Sequence, residues 1–577
     1  MGMDIKFQQC LSYSSQEIIY PLQDQFLLDE SYEISLLSPT EHFRIMVVLS
    51  ICTLTHSYLI ISTFPYITFM PIHLLKESER GPVDEENAGL YAALIFISFF
   101  VGRACTSYAW GIWADIYGRK SVLCISLWFS CLFTLLFGTA PTFQHVIFFR
   151  FLLGLCNGIL GTTKTIVFEL AGGSHSLETS GMKLVMGMWG WGLLFFPLIS
   201  GALTDPVRQY PSVDYVQKYQ DFLETYPFFL PNAMGAFMCA FSALCVSIIV
   251  IEPLPTIERR SSKYILYDFV LWLINSITRC IIKHETKNEH LKISDLMHSH
   301  NNYLTDESFE EVICKDIQDT TMTYSESCSF LAIAAANDFN ENERFVAKEN
   351  KLSEVTMFCL WSDKNIRTNL MIYWLSSFLC ISLELTFLLF CMSRAVGLGL
   401  REVSIGNILS FGGLIFVSCQ YFIFPMVIRK FGLNTSIILM TILLIPVVTL
   451  IPLSFLFNKG METGTTNHKT IIFLGFTMAA NRIFGNILFS GTLMTVNQVV
   501  PANHRRVLNN LLLLGGSCVK VLAPLFAGAL VASIFPWKDT ISSQIKVATV
   551  YSTLGILQIA VAIATTHYLK QNKNELL

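Results

Sequence analysis

The chain has 577 residues, of which 53% are hydrophobic, 13% aromatic and only 14% charged, with a formal net charge of −4. A soluble protein carries about 25% charged residues, so this chain cannot cover a water-facing surface and must take lipid as its main solvent. The near-neutral charge makes no case for nucleic acid as a partner.

Residues 1–43 are polar and acidic and read as an N-terminal tail; no basic start followed by an apolar core marks a cleaved signal peptide. Two leucine pairs there, Leu27–Leu28 and Leu36–Leu37, have Asp24 and Glu33 nearby. That pattern tilts the expected location to a vacuolar or other internal membrane over the plasma membrane. Apolar runs able to cross a hydrocarbon core of about 30 Å then begin. Six fall at 44–70, 88–110, 121–140, 143–167, 182–204 and 230–251.

The first run carries His56, and the loop after it, 71–87, is acidic, with Glu77, Glu79, Asp84, Glu85 and Glu86. The second carries Arg103 and leads into the stretch GIWADIYGRK, Gly111 to Lys120. There Gly111 allows close helix approach, Gly118 a tight turn, and Asp115 can cap a neighbouring helix and pair with a basic residue. The fourth run opens on Arg150 and presents Gly154, Gly158 and Gly161 as a ridge of small residues. Lys164 and Glu169 follow near its end, and the fifth run holds Gly192, Pro197 and Gly201.

Residues 253–365 form a polar segment rich in Lys, Glu, Asp, Asn and Ser, expected to be mostly disordered. Within it, 264–282 is apolar but carries Asp268, Asn275 and Arg279 on one face, which reads as a helix lying in the membrane interface. Six further spans follow at 368–391, 403–427, 434–457, 470–496, 507–533 and 548–568, with Glu384 inside the seventh and 569–577 left as a C-terminal tail. The expected fold is therefore an all-α polytopic membrane protein of twelve transmembrane helices. Its six-helix units would be 44–252 and 366–568. The basic pairs Arg119–Lys120, Arg429–Lys430 and Arg505–Arg506 fall in short loops on one side, with both termini and the central segment. That side is expected to be cytosolic, and the acidic 71–87 loop to lie opposite. None of the 16 cysteines lies in a loop placed outside and no CxxC occurs, so neither a disulfide framework nor a metal site is expected.

Gly111, Ala114, Asp115, Gly118, Arg119 and Lys120 reproduce the G-x-x-x-D-x-x-G-R-[KR] pattern, and by it the chain resembles the major facilitator superfamily. RFLLGLCNGILG at Arg150 and WGWGLLFFPLISGAL at Trp189 are similar to the family's fourth- and fifth-span patterns, with Phe196 where antiporters place a Gly before the Pro. The finer likeness is to the zinc-induced-facilitator-like branch of tetracycline-type proton antiporters. It is carried by GRACTS at Gly102, YPFFLP at Tyr226, Glu384 ahead of GLGL at Gly397, and NQVVP at Asn497. PMVIRKFG, Pro425 to Gly432, sits where a second copy of the loop motif would fall, with Arg429 in place of the aspartate.

An ionisable group within a span costs several kcal/mol unless paired or wet, so each is a functional candidate. Glu384 is the candidate for proton coupling, since a carboxyl in a low-dielectric cavity can exchange protons near neutrality; a buried arginine could equally hold it as a fixed carboxylate. His56 could titrate or serve as a polar packing residue. Arg150 could anchor an anion, tune the coupling carboxyl, or form a structural ion pair; Arg103 is a further substrate or coupling candidate. By resemblance, Asp115, Arg119 and Glu169, with Gly111, Gly118 and Lys120, form a cytosolic gate, the alternative being a static topogenic cluster. No G-x-x-x-x-G-K-[ST] loop occurs, which argues against a primary pump and leaves an electrochemical gradient or facilitation. The reading is a secondary transporter, not an enzyme, moving a small molecule or ion, with protons and the bilayer as partners. It needs no cofactor and works as a monomer. A uniporter or symporter of the same fold, or a transport-inactive receptor or scaffold, are the alternatives.

Overall fold

The computed structural model describes residues 38–75, 88–171, 175–252, 361, 364–457, 467–499, 505–537 and 541–575. Most of the N-terminal tail with both leucine pairs, the acidic loop from residue 76 to 87, and nearly all of the central segment with its expected interfacial helix lie outside the described residues. The described chain belongs to one compact unit; the second, Arg260–Cys359, lies outside them.

Among the described residues, twelve helices are long and apolar enough to cross a membrane. They are α1 Pro39–Ile61, α2 Ala88–Tyr117, α3 Arg119–Gly138, α4 Phe143–Leu170, α5 His175–Leu203 and α6 Phe229–Ile249. The second half supplies α7 Lys364–Met392, α8 Glu402–Gln420, α9 Leu433–Phe457, α10 His468–Val499, α11 Arg505–Ile534 and α12 Ser543–Glu575. Among the described residues the regular structure is entirely helical, as it must be where no water can satisfy a free backbone group. Large apolar side chains such as Phe237, Ile248, Phe476 and Ile563 stand exposed on the outside, where lipid would meet them.

At two places a helix stops well short of the sequence expectation. α1 is entered through a capping box, with Ser38 Oγ accepting from Glu41 N and Glu41 Oε2 accepting from Ser38 N, and Pro39 at the first helical position. It stops at Ile61 instead of running to residue 70, because residues 62–68 turn before the short helix Phe69–Leu74. α8 likewise stops at Gln420 instead of 427; Ile423–Phe431 is a separate, strongly amphipathic helix.

The two halves use the same packing. α3 packs on α6 as α9 packs on α12, α2 on α4 as α8 on α10, and α1 on α5 as α7 on α11. Advancing each helix by six positions maps one set of neighbours onto the other, as two copies of a six-helix unit require. The turns agree: Gly118, before α3, has φ +94° and ψ 147°, and Gly432, before α9, has φ +77° and ψ 165°. That backbone region is essentially closed to residues with a Cβ. The two bundles meet through α5 against α8 and α2 against α11.

Candidate functional site

The seam between the bundles is tightest at the end carrying Arg208. A Cβ on Gly413 or Gly406 of α8 would strike the backbone carbonyls of Leu193 and Pro197 on α5, and one on Gly201 would lie 2.9 Å from Glu402 O. Gly528 of α11 approaches Gly89 of α2 equally closely, and Gly89 in turn abuts Leu389 of α7. Residues 55–68 and Leu385–Met392 are buried without interruption, so α1 and α7 are surrounded on every side there. Arg208 closes the same end by an ion pair to Glu402 (2.6 Å) across the bundles, and it also holds Asp205 at 3.1 Å.

The opposite end, carrying Arg119, has room between helices. A Cβ built on Gly111 of α2, Gly161 of α4 or Gly516 of α11 would meet nothing within 4 Å. Gly111 therefore does not serve close helix packing here, and the small-residue ridge of α4 packs only at Gly154, against the Phe99 carbonyl, and Gly158, against Trp110. The physical reason is the same for both corrections: Gly111 and Gly161 are exposed, with open space where a Cβ would stand.

α4 is interrupted at Cys156–Gly158, midway along its length. Its freed groups are taken up by side chains. Ser126 Oγ donates to Cys156 O (2.7 Å) and accepts from Gly158 N (2.9 Å), while Thr106 Oγ1 and Trp110 Nε1 donate to Leu155 O at 2.7 and 2.8 Å. Such breaks are tolerated at membrane depth only where protein or a cavity satisfies them. Asn157, inside the break, is 3% exposed, yet its side-chain oxygen and nitrogen both lack a hydrogen-bond partner.

The intramembrane charges sort into three groups. Arg150 is buried and, among the described residues, forms no ion pair: Nη1 donates to Leu59 O (3.0 Å), Nη2 to Thr63 Oγ1 (3.4 Å), and the guanidinium lies between the Phe99 and Phe137 rings, 4.9 and 5.2 Å from their centroids. These contacts tie it to the end of α1 and the turn that follows, rather than to a carboxylate among the described residues.

The second group surrounds His56. Arg103 Nη1 lies 3.4 Å from His56 Nε2, and because a guanidinium only donates, Nε2 is the acceptor. Lys164 of α4 and Lys520 of α11 lie within electrostatic reach of both. The Lys520 ammonium sits 5.4 Å from the Phe100 ring centroid. Asn157 is beside the same imidazole.

The third group is in the second bundle. Glu384 Oε1 faces Arg482 Nε at 3.8 Å, too long for a hydrogen bond, and Arg482 Nη1 donates instead to Leu409 O of α8 (3.1 Å). The Glu384 side chain is 30% exposed and that of Arg482 5%, so the carboxyl is partly open while its partner is sealed in. Arg482 and Lys520 were not singled out from the sequence, although the rule that flags an intramembrane charge applies to both.

At the Arg119 end, Arg119 Nη2 pairs with Asp115 Oδ1 (2.9 Å) and Glu169 Oε1 (2.8 Å), and Nη1 donates to Ala114 O (3.0 Å). The cap expected of Asp115 is made by Glu252, whose carboxylate accepts from Arg119 N (2.7 Å) and Lys120 N (3.0 Å) at the start of α3. The cluster thus ties α2, α3, α4 and the chain after α6 within one bundle. Asp115 remains 58% exposed. On α5, Gly192 faces Ser57 of α1, while Gly201 and the Pro197 carbonyl face α8. Among the described residues no set of three or more His, Cys, Asp or Glu side chains could hold a metal.

A family model described as Major Facilitator Superfamily matches residues 46–481. Among curated proteins, the chain is 24% identical to Protein ZINC INDUCED FACILITATOR-LIKE 1 of Arabidopsis thaliana, over 83% of this chain and 81% of that protein. It is also 24% identical to the Major facilitator superfamily multidrug transporter mfsB of Aspergillus fumigatus, over 73% and 68% of the two chains. Among solved structures, a POT family transporter with a thioalcohol-conjugated peptide superposes with a TM-score of 0.54 at 12% identity, covering 91% of this chain and 96% of that one. The nucleoside transporter NupG gives 0.52 at 12% identity, covering 91% and 99%. At these identities the two structures speak to the fold.

Proposed function

The chain belongs to the Major Facilitator Superfamily, a membrane transporter, and on that premise we propose that it exchanges protons for a small solute by alternating access, acting as a monomer. The observation that carries the coupling is Glu384: a carboxyl on α7, 30% exposed, with its arginine at 3.8 Å. A pair this loose leaves the carboxyl free to take up a proton, whereas a bidentate pair would hold it ionised. When Glu384 is protonated, Arg482 keeps only its bond to the α8 carbonyl, so the proton's arrival changes how α7, α8 and α10 are tied together.

In this reading the Arg119 end faces the cytosol, with both termini, and the state seen is open to that side; an internal, vacuole-like membrane is the favoured location. Asp115, exposed beside the free face at Gly111, meets α11 when that end closes, and Arg119 and Glu169 hold it in position. The gate then lies between the bundles, and the pairs seen within one bundle are its fixed half.

The test is solute flux into vesicles containing the purified chain, with and without an imposed pH gradient. Antiport gives gradient-driven flux that is lost in Glu384→Gln. Flux indifferent to the gradient assigns a uniporter, and flux that follows protons in the same direction assigns a symporter.

A further inference from the structure

We propose that the cargo is a small multiply charged anion bearing carboxylate or phosphate groups, held by Arg103, Lys164 and Lys520. This rests on the transport reading above and names its substrate class.

The three cations come from α2, α4 and α11, so both bundles contribute. Each is half-buried, and among the described residues none has a carboxylate partner. Arg103 contacts the His56 ring. Lys520 lies over the face of Phe100. Unpaired charges at membrane depth are strongly unfavourable, and three neighbouring like charges more so, unless counter-charge is supplied. Glu384, the carboxyl within α7, already faces Arg482.

Space is provided beside the same groups. Gly161 stands three residues before Lys164 and Gly516 four before Lys520, which places each glycine on its lysine's helix face. A Cβ at either glycine would meet nothing within 4 Å. Asn157, buried at the break in α4 with its side-chain nitrogen unpartnered, adds an amide donor next to His56. A carboxylate or phosphate would satisfy the guanidinium, both ammonium groups and that amide together, whereas a cationic cargo would be repelled by all three charges.

The measurement is thermal unfolding of the purified full-length chain titrated with citrate, inorganic phosphate or tetraethylammonium at matched ionic strength. Citrate or phosphate should raise the midpoint saturably and tetraethylammonium should not. Lys520→Met and Arg103→Met should each raise the half-saturating concentration about tenfold, as loss of one charge-assisted contact implies, and Lys520→Arg should keep it near the parent value. If Lys520→Met does not fold, Lys164→Met carries the same comparison. Equal citrate response in parent and lysine variants, or saturable stabilisation by tetraethylammonium, overturns the proposal. Nanodiscs of neutral and of anionic lipid separate the two sources of such chemistry: a citrate response that survives in both supports a soluble cargo, and one abolished by anionic lipid assigns the site to a headgroup. A saturable citrate shift without pH-driven citrate flux upholds the anion site and defeats the antiport reading. pH-driven flux of a cation does the reverse.

Discussion

At the residue scale, four buried or half-buried arginines in the spans have four different jobs, and only their surroundings tell them apart. Arg150 is a strut: hydrogen bonds to Leu59 O of α1 and to Thr63 Oγ1 in the turn after it, with two aromatic faces, hold its guanidinium in place. Arg150→Met should lower thermal stability by about 3 kcal/mol, since it removes two charge-assisted bonds and orphans Leu59 O. Folded Arg150→Met should keep the parent's half-saturating citrate concentration; a tenfold change would move Arg150 into the site. Arg119 is a hub for Asp115 and Glu169, Arg482 is the partner of Glu384, and Arg103 lies in the seam. From sequence, the cost of burying charge flags such residues but does not sort them, because the sorting atoms are a carbonyl, a ring or a carboxylate many positions away. Glu252 shows the same limit: it ends an apolar run and reads as a loop acid, yet it caps α3 across the turn made by Gly118.

At the element scale, the twelve helices were legible because each is apolar over a bilayer's thickness, and the duplication was legible at its sharpest point, where Gly118 and Gly432 adopt the same glycine-only turn. Helix ends at Ile61 and Gln420 were not, since the residues beyond them stay apolar while the backbone turns. Nor does spacing reveal which glycines touch a neighbour. Gly413 and Gly111 look alike in sequence, but a Cβ on the first strikes Leu193 O and on the second meets open space. Gly413→Leu should therefore separate α5 from α8 and abolish folding or flux. Gly111→Leu should leave thermal stability within about 0.5 kcal/mol of the parent, as an unobstructed substitution does, while slowing flux by blocking the approach of α11. Parent-like flux in Gly111→Leu would mean that α2 and α11 do not close at this end.

At the scale of the whole molecule, the sealed end is held by packing of α1, α2, α5, α7, α8 and α11, and the Arg208–Glu402 pair is the charge contact that crosses it. Packing of apolar surface has no preferred partner, but an ion pair with one member only 4% exposed does. Leaving either charge alone in the closed end is unfavourable, whereas opening that end would hydrate both. The pair is therefore a latch: it stabilises the closed arrangement only while both members are present. Asp205 keeps Arg208 aimed, at the expense of a left-handed backbone (φ +48°). Since Arg208 is 43% exposed, solvent screening limits the latch to about 1 kcal/mol, or a roughly fivefold shift between states. Glu402→Gln should raise the population open at the Arg208 end by about that factor. The exchange Arg208→Glu with Glu402→Arg should not restore the parent balance fully, because Asp205 would then repel the new glutamate. Spin labels at the exposed positions Tyr215 and Ile545, one on each bundle, report the change as a longer distance component. Distance distributions identical in the parent and Glu402→Gln would leave helix packing alone as the lock.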